Sequence, residues 1–360
     1  MTMVFKGSEG GTGNYAYACA RVKARKSQLL PRETYPRLLN MELSQIGRFM
    51  GEGQYRKEVD ELASRHSGVD LIELAAYLNL ARTYTAILGF TKGELRGMVR
   101  HFLNRWDVWN FKTVLRGKSY GASWKEVADE LIPAGAFDLG FFAEVYTSST
   151  TEEMATTFMR KTPRTEYDPV LLKLMRQSRR PMLSEIENAL DHEYYRVLLA
   201  TVPSGEKANR FFLDYIRLEI DVLNLRTLFK LKWEEVGEEK ASNLMIHGGR
   251  ELSEGTLKRL AATEDYDKFM AELRATKLFE SVRESAPRVP ETKSLNRVLR
   301  DLDMYMISRA RRFSHLYPLS VLPVIDYMLR KKTEVDNLRV VARGKQSGLP
   351  DETIRSLLVM

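Results

Sequence analysis

The clearest hydrophobic pattern of the chain lies between residues 211 and 229. Apolar side chains recur there at alternating steps of four and three, at Phe211, Tyr215, Leu218, Val222, Leu225 and Phe229. This spacing lines one face of a helix and predicts a long amphipathic helix. The preceding segment 184–201 predicts a second helix, with Ser184 as its N-cap and Glu187 completing a capping box. The polar turn at 203–205 joins the two helices, so we expect a helical hairpin.

The same arrangement is predicted twice more along the chain. The corresponding pairs of helical segments are 71–88 with 95–115, and 295–312 with 321–343. Pro318 and Pro323 mark the connection and the start of the last helix, because proline is tolerated in the first turn of a helix. Shorter helices, such as 251–260 and 265–275, lead into the hairpins. No segment shows the alternation of a strand, so the predicted fold class is all-α.

One polar motif occurs three times, as DVWNFKTVLRGK at 107–118, DVLNLRTLFKLK at 221–232 and EVDNLRVVARGK at 334–345. Each copy has an acid three residues before an asparagine, and bases two and six residues after it. The motif residues are Asp107, Asn110, Lys112 and Arg116; Asp221, Asn224, Arg226 and Lys230; and Glu334, Asn337, Arg339 and Arg343. The asparagines lie 114 and 113 residues apart, and Gly135 and Gly249 each follow their asparagine by 25 residues.

This period indicates three tandem homologous units rather than a solenoid, whose repeats are far shorter. The predicted organisation is a flexible N-terminal lead-in at 1–14 and helical domains at 15–131, 132–245 and 246–360. The second copy departs from the other two at Leu231, where they have Gly117 and Gly344. We therefore expect the middle domain to make the close approach or helix end that a glycine permits in another way.

The repeated polar side chains are predicted to be structural. Asparagine is mediocre inside a helix, so three equivalent occurrences imply a specific hydrogen bond, either across the hairpin or to the preceding short helices. The two bases of each copy repel weakly at i,i+4 and need acidic partners. These are expected within the same domain, through Glu187, Asp191, Asp301 or Asp303. The alternative, an acidic surface on a partner protein, stays open.

Composition excludes little. The formal net charge of +8 is spread along the chain, so nucleic acid, an acidic protein or an anionic membrane surface would all suit it. One cysteine, Cys19, fits a reducing compartment. No segment reaches the roughly 20 apolar residues of a membrane helix, and the glycine-containing N-terminus lacks an apolar run of signal-peptide length. These features predict a protein made in the cytoplasm that does not span a membrane.

Three segments carry a resemblance to a known family. The opening NYAYACARVKARKSQLL, the repeated N-[FL]-[KR]-x-[VL] helix and the ending PLSVLPVIDYMLRKKTEVDNLRVVARGKQSGLP resemble the C subunit of archaeal A-type and bacterial V-type ATPases. In eukaryotic V-ATPases the same family is called the d subunit. The match runs from about Asn14 to the end, and the third copy is its most specific part.

The resemblance implies a non-catalytic structural subunit of a rotary ATPase. It implies three helical domains arranged as a funnel with pseudo-three-fold symmetry, with the proteolipid ring at one mouth and the central rotor shaft at the other. The implied location is peripheral, on the cytoplasmic face of the membrane, with torque transmitted for proton or sodium transport. No cofactor, metal or catalytic residue is expected. Exposed hairpin ends give the candidate partner contacts Ser204, Lys207, Arg311, Arg312 and His315.

Other functions are less well supported by the residues. The chain contains no HExxH, no G-x-x-x-x-G-K-[ST] loop and no G-x-S-x-G turn, so no enzyme site is indicated. The alternative function is a basic helical-repeat nucleic-acid-binding or scaffold protein, suggested by the basic pI and by Arg179, Arg180, Arg309, Arg311 and Arg312. Against nucleic-acid binding, aromatic residues such as Trp106, Phe211 and Tyr215 fall on apolar helix stripes rather than between exposed bases.

Overall fold

The computed structural model describes residues 13–161, 182–234, 241 and 243–360. Within these residues every regular element is a helix, which confirms the all-α fold class. The α-helices, in chain order, are α1 (Tyr15–Lys26), α2 (Thr34–Leu39), α3 (Leu43–Glu52), α4 (Arg56–Leu62), α5 (Gly68–Phe90), α6 (Gly93–Ser119), α7 (Trp124–Asp129), α8 (Leu139–Thr147), α9 (Thr151–Lys161), α10 (Leu183–Thr201), α11 (Lys207–Trp233), α12 (Glu254–Ala262), α13 (Tyr266–Arg274), α14 (Val289–Thr292), α15 (Asn296–Leu316), α16 (Leu322–Gln346) and α17 (Asp351–Leu357).

The chain divides into two compact units. Unit 1 comprises Met1–Arg21 and Leu74–Pro203, and unit 2 comprises Val22–Glu73 and Ser204–Met360. Unit 2 therefore combines the N-terminal helices α2–α4 with the C-terminal half of the chain. This division into two units does not test the three predicted domains, which remain a proposal.

Unit 1 is built around α6. This helix packs most extensively against α10, and α7, α8 and α9 cover it as well. Phe111 of α6 stacks on Phe158 of α9 with ring centroids 4.2 Å apart, and both rings are fully buried. The predicted helices 71–88 and 95–115 are present as α5 and α6. The main long-helix partner of α6 is nevertheless α10, not its predicted hairpin partner α5, although Tyr84 of α5 does contact Trp106.

Unit 2 contains the predicted amphipathic stripe of α11. Tyr215, Leu225 and Phe229 are at most 1% exposed. The helix runs antiparallel to α15, because Phe211 near its start contacts Phe313 and Tyr317, with ring centroids 5.4 and 4.7 Å apart. Helices α15 and α16 form the predicted hairpin, with Pro323 in the first turn of α16.

Two helix starts differ from the sequence prediction. Helix α10 begins at Leu183, where the Met182 N–H donates to the Glu185 carboxylate (2.8 Å), so the capping box of Ser184 and Glu187 is wrong. Helix α12 begins at Glu254 with Ser253 as its N-cap, later than predicted. The residues before it form a loop whose N–H groups bind the Asp221 carboxylate.

Candidate functional site

The repeated asparagines each clamp a segment of backbone 22 residues further along the chain. Asn110 donates to the Ile132 carbonyl (2.7 Å) and accepts from the Ile132 N–H (2.9 Å). Asn224 makes the same pair with Ile246, at 2.8 Å in both bonds. Asn337 makes it with Val359, at 2.8 and 2.9 Å. Each amide thus satisfies a donor and an acceptor of the returning chain, as a neighbouring strand would.

The predicted hydrogen bond is confirmed, but its predicted partner is wrong. Asn110 and Asn224 show no such bond to the other helix of the hairpin or to the preceding short helices among the described residues, whereas Asn337 is also hydrogen-bonded to the side chain of Tyr35 in the short helix α2. They hold the chain that returns after the helix has ended, and in the first two copies the residue held, Ile132 or Ile246, begins the next predicted domain. The contact is local in space yet distant in sequence, so helix periodicity alone could not reveal it.

The aspartates three residues earlier bind the same returning segments. Asp107 accepts from the N–H groups of Ala136 (2.8 Å) and Phe137 (3.1 Å). Asp221 accepts from three successive N–H groups, those of Arg250, Glu251 and Leu252, at 2.6–3.1 Å. Both carboxylates are buried. Burial raises the pKa of Asp221 above its usual value even though the three N–H groups favour the charged form.

The glycines at 135 and 249 make this approach possible. A Cβ at Gly135 would lie 2.1 Å from Oδ1 of Asp107, and a Cβ at Gly249 would lie 2.1 Å from Oδ1 of Asp221. Neither contact is possible for a larger residue without displacing the carboxylate. The sequence signal was therefore a spacing of 28 residues from aspartate to glycine, preserved in two copies.

The third copy uses a different set of partners. Glu334 is 3% exposed and accepts from Tyr55 Oη (2.6 Å), Gln54 Nε2 (2.8 Å), Lys331 Nζ (2.8 Å) and the Leu30 N–H. Lys331 is itself 1% exposed, so the ion pair is fully buried within unit 2. Burial lowers the pKa of Lys331, and burial together with the Glu334 charge raises the pKa of Tyr55. Sequence reasoning missed Lys331 and Tyr55.

The repeated bases pair with acids, and these pairs cross the predicted domain boundaries. Lys112 and Arg116 of α6 bind Asp191 and Glu187 of α10, each at 2.6 Å. Arg226 binds Asp303 of α15. Arg339 and Arg343 both bind Glu73, at 3.4 and 2.6 Å. Three of the four predicted acids are thus used, but in the following predicted domain rather than the same one.

The remaining members of this set behave differently. Asp301 pairs with the neighbouring Arg300 instead of a motif base. Lys230 is exposed, and among the described residues no acid pairs with it. Glu73 was not predicted as a partner. Sequence reasoning could not find it, because it lies in the first repeat, more than 260 residues from Arg339 and Arg343, and no repeated spacing connects it to them.

The glycine missing from the second copy has a packing explanation. A Cβ at Gly117 would lie 2.2 Å from Val127, and one at Gly344 would lie 2.6 Å from Ile354, ten residues on in both cases. In the second copy Leu231 is paired in position with Ala241, and both are buried. The large and the small residue are thus exchanged between these two positions of the sequence in the middle copy.

The candidate partner contacts Ser204, Lys207, Arg311, Arg312 and His315 are all exposed. The antiparallel packing of α11 and α15 brings the start of one helix beside the end of the other, so these residues share one end of unit 2. Among the described residues no group binds more than one of them, and their role remains a prediction.

The part of the chain that the structure describes also bears on metal, membrane and nucleic-acid binding. It contains no cluster of three or more histidine, cysteine, aspartate or glutamate side chains suited to a metal ion. None of its helices combines the length and apolar character needed to cross a membrane. Trp106 and Tyr215 are buried, as predicted, and so are not available for stacking with bases, whereas Phe211 is only half-buried. Arg179 and Arg180, and lead-in residues 1–12, lie outside the described residues.

Comparison with known proteins gives a consistent set of matches. Residues 18–357 match the family model described as ATP synthase (C/AC39) subunit. The C subunit of the A-type ATP synthase of Methanosarcina acetivorans is 42% identical over 354 residues, covering 97% of this chain and 94% of the relative. The protein of the same name from Archaeoglobus fulgidus is 37% identical over 360 residues, covering 100% and 99%. That from Haloferax volcanii is 33% identical over 360 residues, covering 98% and 99%.

Proposed function

Because the chain belongs to the ATP synthase (C/AC39) subunit family, we propose that it is the central-stalk adaptor that links the rotor shaft of an A-type ATPase to its membrane proteolipid ring. In this role it is a non-catalytic accessory subunit and transmits torque during ATP-coupled transport of protons or sodium ions. It lies at the cytoplasmic face of the membrane complex and reaches the bilayer region through the ring.

The observation that carries this proposal is the repeated set of tethers between successive helical segments. A part that transmits torque has to resist shear between its segments. Here each long motif helix is fixed twice: its asparagine holds the returning backbone, and at least one of its bases binds an acid on a helix of another repeat. Partly buried charge pairs of this kind orient the packed elements even where they add little net stability.

We also propose that the three repeats are three homologous domains with the boundaries predicted from sequence. The support is that at least one motif base of each of the first two repeats pairs with the repeat that follows, Lys112 with Asp191 and Arg226 with Asp303, while Arg343 of the third repeat pairs with Glu73 of the first. Three units that present equivalent surfaces suit contact with a ring of identical subunits.

Affinity purification of the tagged chain from gently solubilised native membranes tests the adaptor role. We expect both the shaft subunits and the proteolipid ring to be recovered with it. A parallel purification of Asn224→Ala serves as the control. This variant lacks the buried hydrogen bonds to Ile246 but keeps the same surface, so it shows how much recovery of partners is lost through local unfolding alone. Recovery of the catalytic sector without the ring, or of neither, would rule out an adaptor between ring and shaft.

A further inference from the structure

One end of unit 2 carries a group of basic side chains. The group comprises Lys23, Lys207, Arg210, Arg311 and Arg312, with His315 beside them. Phe211 packs on Phe313 and Tyr317, which places the start of α11 against the end of α15. Lys23, His315 and Pro318 line one small cavity of about 100 Å³. Among the described residues no ion pair joins any of these five cations to an acid.

Helix stability explains only part of this group. Arg311, Arg312 and His315 lie in the last turns of α15, where positive charge interacts favourably with the helix dipole. Lys207 and Arg210 lie at the start of α11, where a positive charge is unfavourable and where the first turn holds no acid beyond the N-cap Glu206. Bases at both the favourable and the unfavourable helix end indicate an external anionic partner rather than a device that stabilises the helices.

Two exposed leucines lie at the end of α15, close in sequence to the bases of that helix. Leu316, the last residue of α15, is 54% exposed, and Leu319 in the following turn is 65% exposed. The next apolar residues, Val321 and Leu322, are buried. Arg311, Arg312, His315 and Leu316 follow one another at helical spacing on a single exposed face. We call Leu316 and Leu319, which are exposed and follow the bases of α15, the leucine tip.

We propose that this end of unit 2 binds the anionic surface of a lipid bilayer, with the bases on acidic headgroups and the leucine tip in the interfacial layer. Bases around a small apolar projection are the combination that peripheral membrane contacts use. A protein partner fits less well, because the apolar part of this end consists of only two leucines, whereas a specific protein interface of roughly 800 Å² per side has a largely apolar core. This direct contact is additional to the one made through the ring; for its orientation in the complex the inference rests on the adaptor role, but lipid binding is tested on the chain alone.

Flotation of the purified full-length chain with vesicles tests the inference. We expect binding to vesicles of phosphatidylglycerol and phosphatidylcholine in equal parts, little binding to phosphatidylcholine alone, and release by salt. Arg311→Ala with Arg312→Ala should weaken binding about 25-fold, since each base near an anionic surface contributes about fivefold. The matched control, Lys258→Ala with Arg297→Ala, removes the same charge from exposed sites away from this end and should leave binding within about twofold.

The leucine tip has its own variant and control. Leu316→Ser with Leu319→Ser should weaken binding about tenfold by removing apolar area that enters the bilayer. Leu349→Ser changes a leucine that is 40% exposed beyond the end of α16, and should have no effect. Equal affinity for both vesicle types, or equal weakening by test and control variants, would overturn the inference. A chain that ignores all vesicles yet is recovered with the ring would overturn it too, while leaving the adaptor role standing.

Discussion

Asp221 and Glu334 occupy the same position in two copies of one motif, yet they are held by opposite means. Asp221 is a buried carboxylate caged by three backbone N–H groups, and no cation contacts it among the described residues. Glu334, longer by one methylene, reaches a buried lysine, a tyrosine and a glutamine. The chain can therefore satisfy a buried acid either with a tightly folded loop, which requires Gly249, or with side chains, which requires Lys331.

The comparison teaches which part of the motif is constant. The asparagine clamp has the same geometry in all three copies, whereas the acid, its partner and the small residue of the helix end all vary. Backbone is available as a partner whatever the neighbouring sequence. A side-chain partner, in contrast, can differ from copy to copy, provided that the motif residue it contacts changes in size or charge to match.

The largest expected loss of stability comes from breaking the buried ion pair between Glu334 and Lys331. Glu334→Ala leaves Lys331 buried without its anion and should lower the free energy of unfolding by about 3–5 kcal/mol. Replacing both partners, as Lys331→Met with Glu334→Gln, should recover most of that loss. Urea unfolding measures both. A loss below about 1 kcal/mol for Glu334→Ala would show that the ion pair is not what holds this copy together.

The backbone version should depend instead on its glycine. Gly249→Ala places a Cβ against Asp221 and should cost about 1–3 kcal/mol of stability, because the loop has to move away from the carboxylate. Gly205→Ala is the matched control, since a Cβ there meets nothing within 4 Å, and its effect should stay within about 0.5 kcal/mol. Similar losses in the two variants would mean that close approach to Asp221 is not the reason for the glycine.

The asparagine clamps of the second and third copies should both contribute to stability, but by different amounts. Asn224→Ala leaves the N–H and C=O of Ile246 without partners, and since Ile246 is buried the loss should be about 1–3 kcal/mol. Asn337→Ala should cost less, because Val359 is half-buried and water can replace the amide. Thermal unfolding compares the two. A larger loss of stability for Asn337→Ala than for Asn224→Ala would contradict this expectation.

The caged aspartate should also give a pH dependence. Its pKa is raised in the folded state, so between the usual value of 3.8 and the raised pKa the folded chain holds more protons than the unfolded chain. Stability from this group is thus full below that window and falls as the pH rises through the raised pKa, by at most about 1.4 kcal/mol per pH unit. As the pH rises through this range, the difference in free energy of unfolding between wild type and the less stable Asp221→Asn should shrink. A difference that grows with pH would contradict the raised pKa.

The smallest effects belong to the motif bases. Arg226→Ala removes a partly exposed pair with Asp303 and should cost about 0.2–1 kcal/mol. Lys230→Ala is the control from the same helix and the same motif. It should change nothing measurable, because none of the described acids pairs with Lys230. Equal effects in urea unfolding would show that the pairing of Arg226 is incidental.

The helices and the repeat could be predicted from the sequence, because both depend on spacing within a short window or on direct self-similarity. The stripe from Tyr215 to Phe229 is buried as expected. The existence of a specific asparagine bond was also predictable, from the poor fit of asparagine to a helix interior.

The partners could not be predicted, for physical reasons. Asn224 binds a residue in a connecting segment whose path no periodicity describes, and Glu73 lies hundreds of residues from Arg343. The network of Glu334 joins residues 30, 54 and 55 to α16, and these residues come together only in the folded chain. The hairpin pairing of α6 was misjudged for the same reason: an apolar helix face does not specify which other face it meets.

The adaptor role is tested most directly by cross-linking the chain to the ring during turnover. Ser204→Cys introduces an exposed thiol in a chain whose single natural cysteine, Cys19, is buried, so the new site can be joined selectively to a cysteine on the ring. If the chain turns with the ring as the coupling between ring and shaft, the cross-linked complex should keep its ATP hydrolysis and ion pumping. Loss of both on cross-linking, restored by reduction, would show that the chain and ring move against each other and would contradict the adaptor role.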